Sequence, residues 1–204
     1  MPTPARQRIL DAALGLIRER GIGRVTTKEI ALAAGAAEGS LFKNFGDKMG
    51  LLTELLTQEL PENRAWRAVP AEAPPGRGDL AAALTLFMDR AIDFYAAVLP
   101  LVAGSFADRE LLRRQQERNR ERGTGPQLAL QAASADYLRG WQESGHLDAA
   151  ADPYAMAVAL CGAALMYAWT DQLAGAGHVQ GGRDGLIRAL IASVAGPYLA
   201  KGAP

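Results

Sequence analysis

Apolar residues recur at intervals of three and four along this chain, the period of helices that turn one face to a core. Leu10, Ala13, Leu14 and Ile17 form a first stripe, which Thr3 and Pro4 open as N-cap and first helical residue and Gly21 closes. Thr26 and Glu29 have the spacing of a capping box, so a second helix starts there, carries Ile30, Ala31 and Ala34 on one face, and stops at Gly35. The next helix turns Leu41 and Phe45 inward and Gly39, Ser40, Lys43 and Asn44 outward. Gly46 and Asp47 break and cap a fourth, in which Leu52, Leu55, Leu56 and Leu60 share a face.

Pro61 and the stretch Pro70 to Asp79 hold too much proline and glycine to continue a helix, which predicts a linker over about 61–79. Beyond it Leu84, Phe87, Met88, Ala91, Ile92, Tyr95, Leu99 and Val102 describe a buried helix, predicted to be interrupted at Pro100. Residues 108–122 are charged on nearly all sides, with Glu110–Arg114 and Arg113–Glu117 spaced to pair, and read as a solvated helix in preference to a second nucleic-acid surface. Pro126 opens a helix through Leu128, Ala135, Leu138 and Trp141 to Gly145. After Asp152 comes the most apolar stretch, PYAMAVALCGAALMYAWT, eighteen uncharged residues bordered by aspartates and poor in Leu and Ile; a buried packing helix suits it better than a membrane span. With a last apolar helix at Leu186–Leu199, the segments at about 153–173 and 184–200 predict close packing of two subunits as a four-helix interface, where Ala157, Gly162 and Ala164 let backbones approach.

The formal net charge is zero, which speaks against a protein that coats nucleic acid generally, yet residues 1–48 hold eight Lys or Arg against five Asp or Glu. A sequence reader needs only a few placed cations. The single cysteine, Cys161, lies among small apolar residues with no nearby cation, so it reads as a buried hydrophobe and not a redox sensor, and no internal disulfide is available; a reducing cytoplasm fits. The segment MPTPARQR is followed by no apolar core, so no secretory signal is read there.

Two short helices around a glycine turn make a helix-turn-helix at 26–45, whose second helix would enter a major groove. Together with ILDAALGLIRERG before it and GDKMGLL after it, the order and spacing resemble the N-terminal domain of TetR-family transcriptional regulators, from Arg6 to Leu52, about a quarter of the chain. The resemblance implies an all-α protein: a helix-turn-helix DNA-binding domain at 1–60 and a helical regulatory and dimerisation domain at 61–204. It implies a non-enzymatic, cofactor-free regulator, most simply a repressor on a palindromic double-stranded DNA operator, acting as a homodimer released by a small apolar effector. The alternatives are a ligand-independent regulator or activator, and a helical module that has lost DNA reading. The candidate contacts are Gly39, Ser40 and Lys43 to bases and Thr27, Asn44 and Lys48 to phosphate, with Lys28, Glu38 and Phe42 beside them. Phe42 stands where the family usually has Tyr and lacks its hydroxyl, Ala37 cannot cap the recognition helix as Ser or Thr would, and Glu38 adds a negative charge. These departures predict an unusual operator preference.

Other patterns point nowhere. GHVQGGRD at 177–184 departs from a phosphate-binding loop where Lys and Ser or Thr would be required, and His146 and His178 have no metal-ligand spacing. No catalytic constellation is present in the sequence pattern. Phe87, Met88, Tyr95, Phe106, Trp141, Met166, Tyr167 and Trp169 either fill a core or line an effector pocket, with Asp93, Asp136 or Asp171 available to a cation or hydroxyl.

Overall fold

The computed structural model describes residues 4–121, 123, 125–175 and 177–199. Among them are ten α-helices, one isolated antiparallel bridge between Leu147 and Leu199, and no strand. The helices are α1 Pro4–Arg20, α2 Thr27–Ala33, α3 Glu38–Phe45, α4 Lys48–Glu54, α5 Pro61–Glu72, α6 Leu80–Ala107, α7 Arg109–Glu121, α8 Pro126–Glu143, α9 Pro153–Ala174 and α10 Gly182–Val194. Thr3, read as a cap, and Arg122 and Ala200, read as helix ends, lie outside the described residues. The chain divides into two compact units, Met1–Asn63 with Ala97–Pro126, and Arg64–Ala96 with Gln127–Pro204. The first therefore takes in the end of α6 and all of α7 besides the N-terminal helices.

In the first unit the predicted punctuation is realised atom by atom. Thr26 Oγ1 accepts from Glu29 N at 3.2 Å while Glu29 Oε2 accepts from Thr26 N at 2.8 Å, a complete capping box for α2. Gly35 has φ of +58°, a conformation only glycine adopts without strain, and it turns the chain into α3. Arg8 Nε donates to Ala34 O at 3.1 Å and so satisfies a carbonyl left open at the end of α2. Ile9, Leu10 and Ile17 of α1 meet Ile30, Leu41, Leu51, Leu52, Leu55 and Leu60, each at most 1% exposed, and Leu101 of α6 joins this core. α4 ends sooner than predicted: residues Leu55–Glu59 form one wide turn with Leu60 N donating to Leu55 O at 3.2 Å.

Two proline-based expectations are corrected. The linker predicted over 61–79 holds α5, because Pro61 sits at the helix start, where no N–H is required, and Trp66 and Val69 anchor the helix by burial. The break comes at 73–79, where Gly76 and Gly78 take φ near +80°. Pro100 does not interrupt α6. A proline inside a helix leaves the carbonyl four residues earlier without its donor, and here Gln172 Nε2 donates to that atom, Ala96 O, at 2.7 Å.

In the second unit Trp66 lies edge-on or tilted against Phe87, Phe94 and Tyr95 with ring centroids 5.1–5.6 Å apart. Tyr137 donates its hydroxyl to Ala73 O at 2.7 Å, holding the segment after α5. α9 is buried on one face only, through Met156, Ala157, Leu160, Cys161, Ala164 and Ala168, which corrects the expectation of a buried helix. Its other face exposes Tyr154, Val158, Leu165, Met166, Trp169 and Leu173. By length and composition this one helix could cross a membrane, with 33% of its apolar window buried.

Candidate nucleic-acid interface

α3 presents Gly39, Phe42 and Lys43, spaced at three and four, on one exposed face, with Phe42 46% exposed. Its inner face is fixed by Leu41 and Phe45. Ala37 makes no side-chain cap, as its type requires, and the first-turn carboxylate of Glu38 lies at the positive end of the helix instead. That carboxylate is tethered: Thr27 Oγ1 donates to Glu38 Oε1 at 2.6 Å. The Thr27 hydroxyl proton and one Glu38 oxygen are thus committed to each other. Ser40 is half-buried, Lys28 is exposed, and Asn44 is exposed with its amide donating to Ser40 O at 2.7 Å.

At the start of α4, Asp47 Oδ1 accepts from Gly50 N at 2.7 Å. The same carboxylate is gripped from α7 by Arg118 Nη2, at 2.6 and 2.5 Å to its two oxygens. Gly50 is the residue that permits this packing, since a Cβ there would lie 1.9 Å from Phe45 O and 3.1 Å from Arg118 Nη1. Lys48 is half-buried, and desolvation holds its amine below the usual lysine range against the opposing pull of Asp108 and Glu29. Part of the basic N-terminal charge is also spent internally: Arg6 pairs with Glu54 at 2.6 Å and lies over Phe45, and Arg20 pairs with Glu29 at 3.1 Å. The excess of cations over acids in residues 1–48 therefore overstates the charge free for a phosphate backbone. Sequence reasoning missed Arg118, whose partner lies 71 residues away and leaves no local signal.

Residues 9–55, which hold α2, α3 and α4, match the pattern of the bacterial regulatory proteins, tetR family. This N-terminal segment is a TetR-type DNA-binding domain. Over 55 residues it is 47% identical to the uncharacterized HTH-type transcriptional regulator YvkB of Bacillus subtilis (strain 168), a match over 27% of this chain and 29% of that protein. The similarity to such curated relatives thus spans under a third of their length. Among solved structures, GusR of Salmonella enterica is similar at a TM-score of 0.66 and 20% identity, over 95% of this chain and 97% of that one. SmeT, the repressor of the Stenotrophomonas maltophilia multidrug efflux pump SmeDEF, is similar at 0.63 and 18%, over 99% and 93%, and has also been solved with triclosan. These likenesses establish a shared fold: an N-terminal helix-turn-helix followed by a helical body.

In the second unit a cavity of about 220 Å³ opens between α5, α6 and α8, lined by Trp66, Arg67, Pro70, Phe87, Leu130, Ala133, Ser134 and Tyr137. Of the eight residues expected from the sequence to line a pocket, Phe87 is among those that line this cavity. Met88 and Trp141 are core, fully enclosed, and Tyr95 is half-buried beside Trp66, its hydroxyl pushed above the usual range by burial. Phe106, Met166 and Trp169 are 66%, 62% and 48% exposed and Tyr167 is half-buried on α9. The acids expected near a ligand are engaged elsewhere or off the lining: Asp93 pairs with Arg183 at 2.7 Å, Asp136 pairs with Arg139, and Asp171 does not reach the cavity. Nothing in the sequence marks Trp66 and Arg67 as lining, since the prolines around them read as linker.

Arg183, part of the misleading glycine-rich segment, donates to Asp89 Oδ1 at 2.8 Å and to Asp89 O at 2.6 Å as well, so it ties α10 to α6. Cys161 is buried and its Sγ lies 3.8 Å from Ser134 Oγ, with burial pushing the thiol up to about 11. His146 packs edge-on to Trp141 at 5.4 Å, and His178 lies 2.9 Å from Gly175 O. No group of metal-ligating side chains occurs among the described residues.

Proposed function

We propose that the chain is a cytoplasmic transcriptional regulator that binds a palindromic double-stranded DNA operator as a homodimer and acts as a repressor relieved by a small effector. The observation that carries this is α3: a short helix with its exposed face small and donor-bearing at Gly39 and Lys43, held by a capped α2, the Arg8 tie and the Asp47–Arg118 pair. Gly39, Ser40 and Lys43 read bases, Phe42 offers an apolar contact to a thymine methyl, and Lys28, Asn44 and the amine of Lys48 meet phosphate. Thr27 acts through Glu38, which leaves Glu38 a free oxygen for a cytosine amine.

The unpartnered apolar face of α9 supports the dimer. Its exposed side chains run the length of the helix, and Gly162 at their centre has open space where a Cβ would project. Packed with α10 against a second copy over about 153–173 and 184–200, it would form a four-helix interface and set two α3 helices ~34 Å apart, one turn of DNA. The repressor and effector parts take support from SmeT, a pump repressor solved with triclosan. An effector relieves repression only by preferring the state that does not bind DNA.

The test is fluorescence anisotropy on the DNA upstream of the chain's own gene against scrambled DNA, across a range of salt, with Lys43→Ala alongside. The expected result is one dimer on an inverted repeat at salt that removes the scrambled duplex, and loss of that discrimination in the variant. Random-site selection that enriches no motif for the purified dimer would refute the reading.

A further inference from the structure

We infer that the cavity between α5, α6 and α8 takes a small hydroxylated aromatic carboxylate; this rests on the ligand-responsive reading above and names the ligand's chemistry. Size comes first. At about 220 Å³ the cavity lies below the 300–1,000 Å³ typical of drug-sized sites and suits a molecule of one or two rings. Its walls favour flat rings: Phe87 and Tyr137 lie nearly parallel, 15° apart with centroids at 6.2 Å, and Trp66 stands edge-on to Phe87 at 5.5 Å.

The polar groups then set the functional groups of the ligand. Tyr137 spends its proton on Ala73 O, and the buried Ser134 spends its proton on Leu130 O at 2.9 Å. Each keeps acceptor capacity only, and Ser134 can accept one ligand hydroxyl. The remaining side-chain donors in the lining are the Trp66 indole N–H and the Arg67 guanidinium; Arg67 is the cation among the lining residues and has no ion pair or hydrogen bond to any described residue, unlike Arg90, Arg139 and Arg183 of the same unit. No carboxylate lines the cavity. An unpaired planar fork in a cavity lined by aromatic side chains matches a carboxylate bidentately. A cationic ligand would find no counter-charge there. Such a ligand differs from the small apolar effector expected from the sequence by its one negative charge.

Isothermal titration of the full-length protein with 4-hydroxybenzoate and with its neutral isostere 4-hydroxybenzamide tests this. The expected result is at least tenfold tighter binding of the carboxylate, a preference that Arg67→Gln removes while leaving the carboxamide affinity unchanged. Arg67 is exposed, so that variant should fold, and circular dichroism checks it. Equal or tighter binding of the carboxamide, or a preference that survives Arg67→Gln, overturns the assignment while leaving an aromatic ligand site in place. No heat with either compound at millimolar concentration overturns both the assignment and this cavity as the effector site.

Discussion

Asp47 serves two partners with one carboxylate, and removing it has a cost that can be worked from the contacts. Asp47→Ala deletes the cap on Gly50 N, about 1 kcal/mol. It also strips Arg118 of both charge-assisted bonds, when its side chain is only 18% exposed and its Nε already has no partner. Leaving a mostly covered guanidinium unpaired costs about 1.5–3 kcal/mol. Because one oxygen serves both roles the two losses overlap, and about 3 kcal/mol is expected in total for Asp47→Ala. Arg118→Ala keeps the cap and should cost about 1.5–2 kcal/mol, with the double variant close to Asp47→Ala alone, a coupling of about 1.5 kcal/mol or more. All three tryptophans, Trp66, Trp141 and Trp169, fall in the second unit, so intrinsic fluorescence would report on the wrong part of the chain. Amide hydrogen exchange over α3 and α4, followed by mass spectrometry, reads the first unit directly. Faster exchange there by roughly ten- to a hundredfold is expected for either single variant, with weaker operator binding following from a loosened α3. Unchanged exchange in Arg118→Ala, or strictly additive effects in the double variant, would show that the pair contributes nothing to stability, and the reasoning would fail.

Gly50→Ala should destabilise the same region by about 1–3 kcal/mol, against the roughly 1 kcal/mol gain that Ala brings to an open helix, because its Cβ meets Phe45 O at 1.9 Å; a thermal melt by far-UV circular dichroism that rises would contradict the packing. Cys161, buried and with its thiol near 11, should resist alkylation by iodoacetamide at pH 8 in the native protein and react promptly in denaturant; rapid native labelling would be inconsistent with its burial. The Glu29 carboxyl is held below 4.5 first by the Thr26 hydroxyl, then by the Thr26 N–H, with Arg20 adding to it. Its stabilising effect is therefore full above 4.5 and is lost as pH falls through the depressed folded value, since the unfolded chain takes up the proton first. A carbon-detected NMR titration should give a Glu29 midpoint under 4.5 that moves up in Thr26→Ala; a midpoint at or above 4.5 in the unaltered protein would sink this account.

The helix-turn-helix was legible because everything that makes it is local. Thr26 and Glu29 are three residues apart, Gly35 and Gly46 stop helices by their own backbone freedom, and Leu41 and Phe45 share a face by period alone. Proline misled where long-range packing outweighed its local cost: Trp66 and Val69 hold α5 across the predicted linker, and Gln172, 76 residues from Ala96, supplies the hydrogen bond that Pro100 takes away. Aromatic composition likewise announced a core without saying which rings face inward. Phe87 lines the cavity, Trp141 is enclosed, and Trp169 points outward on α9, distinctions that depend on which neighbouring helix covers each face. By itself, then, the sequence determined the reader helix, its caps and the helical class, since these follow from interactions within a few residues. Only the tertiary structure decided that Arg6, Arg8 and Arg20 brace the helix-turn-helix, that Arg118 grips Asp47, and that Arg67, with no partner among the described residues, lines a cavity beside Trp66, Phe87 and Tyr137. A charged side chain takes its role from its nearest partner in space, and the chain's order along the backbone does not say which partner that is.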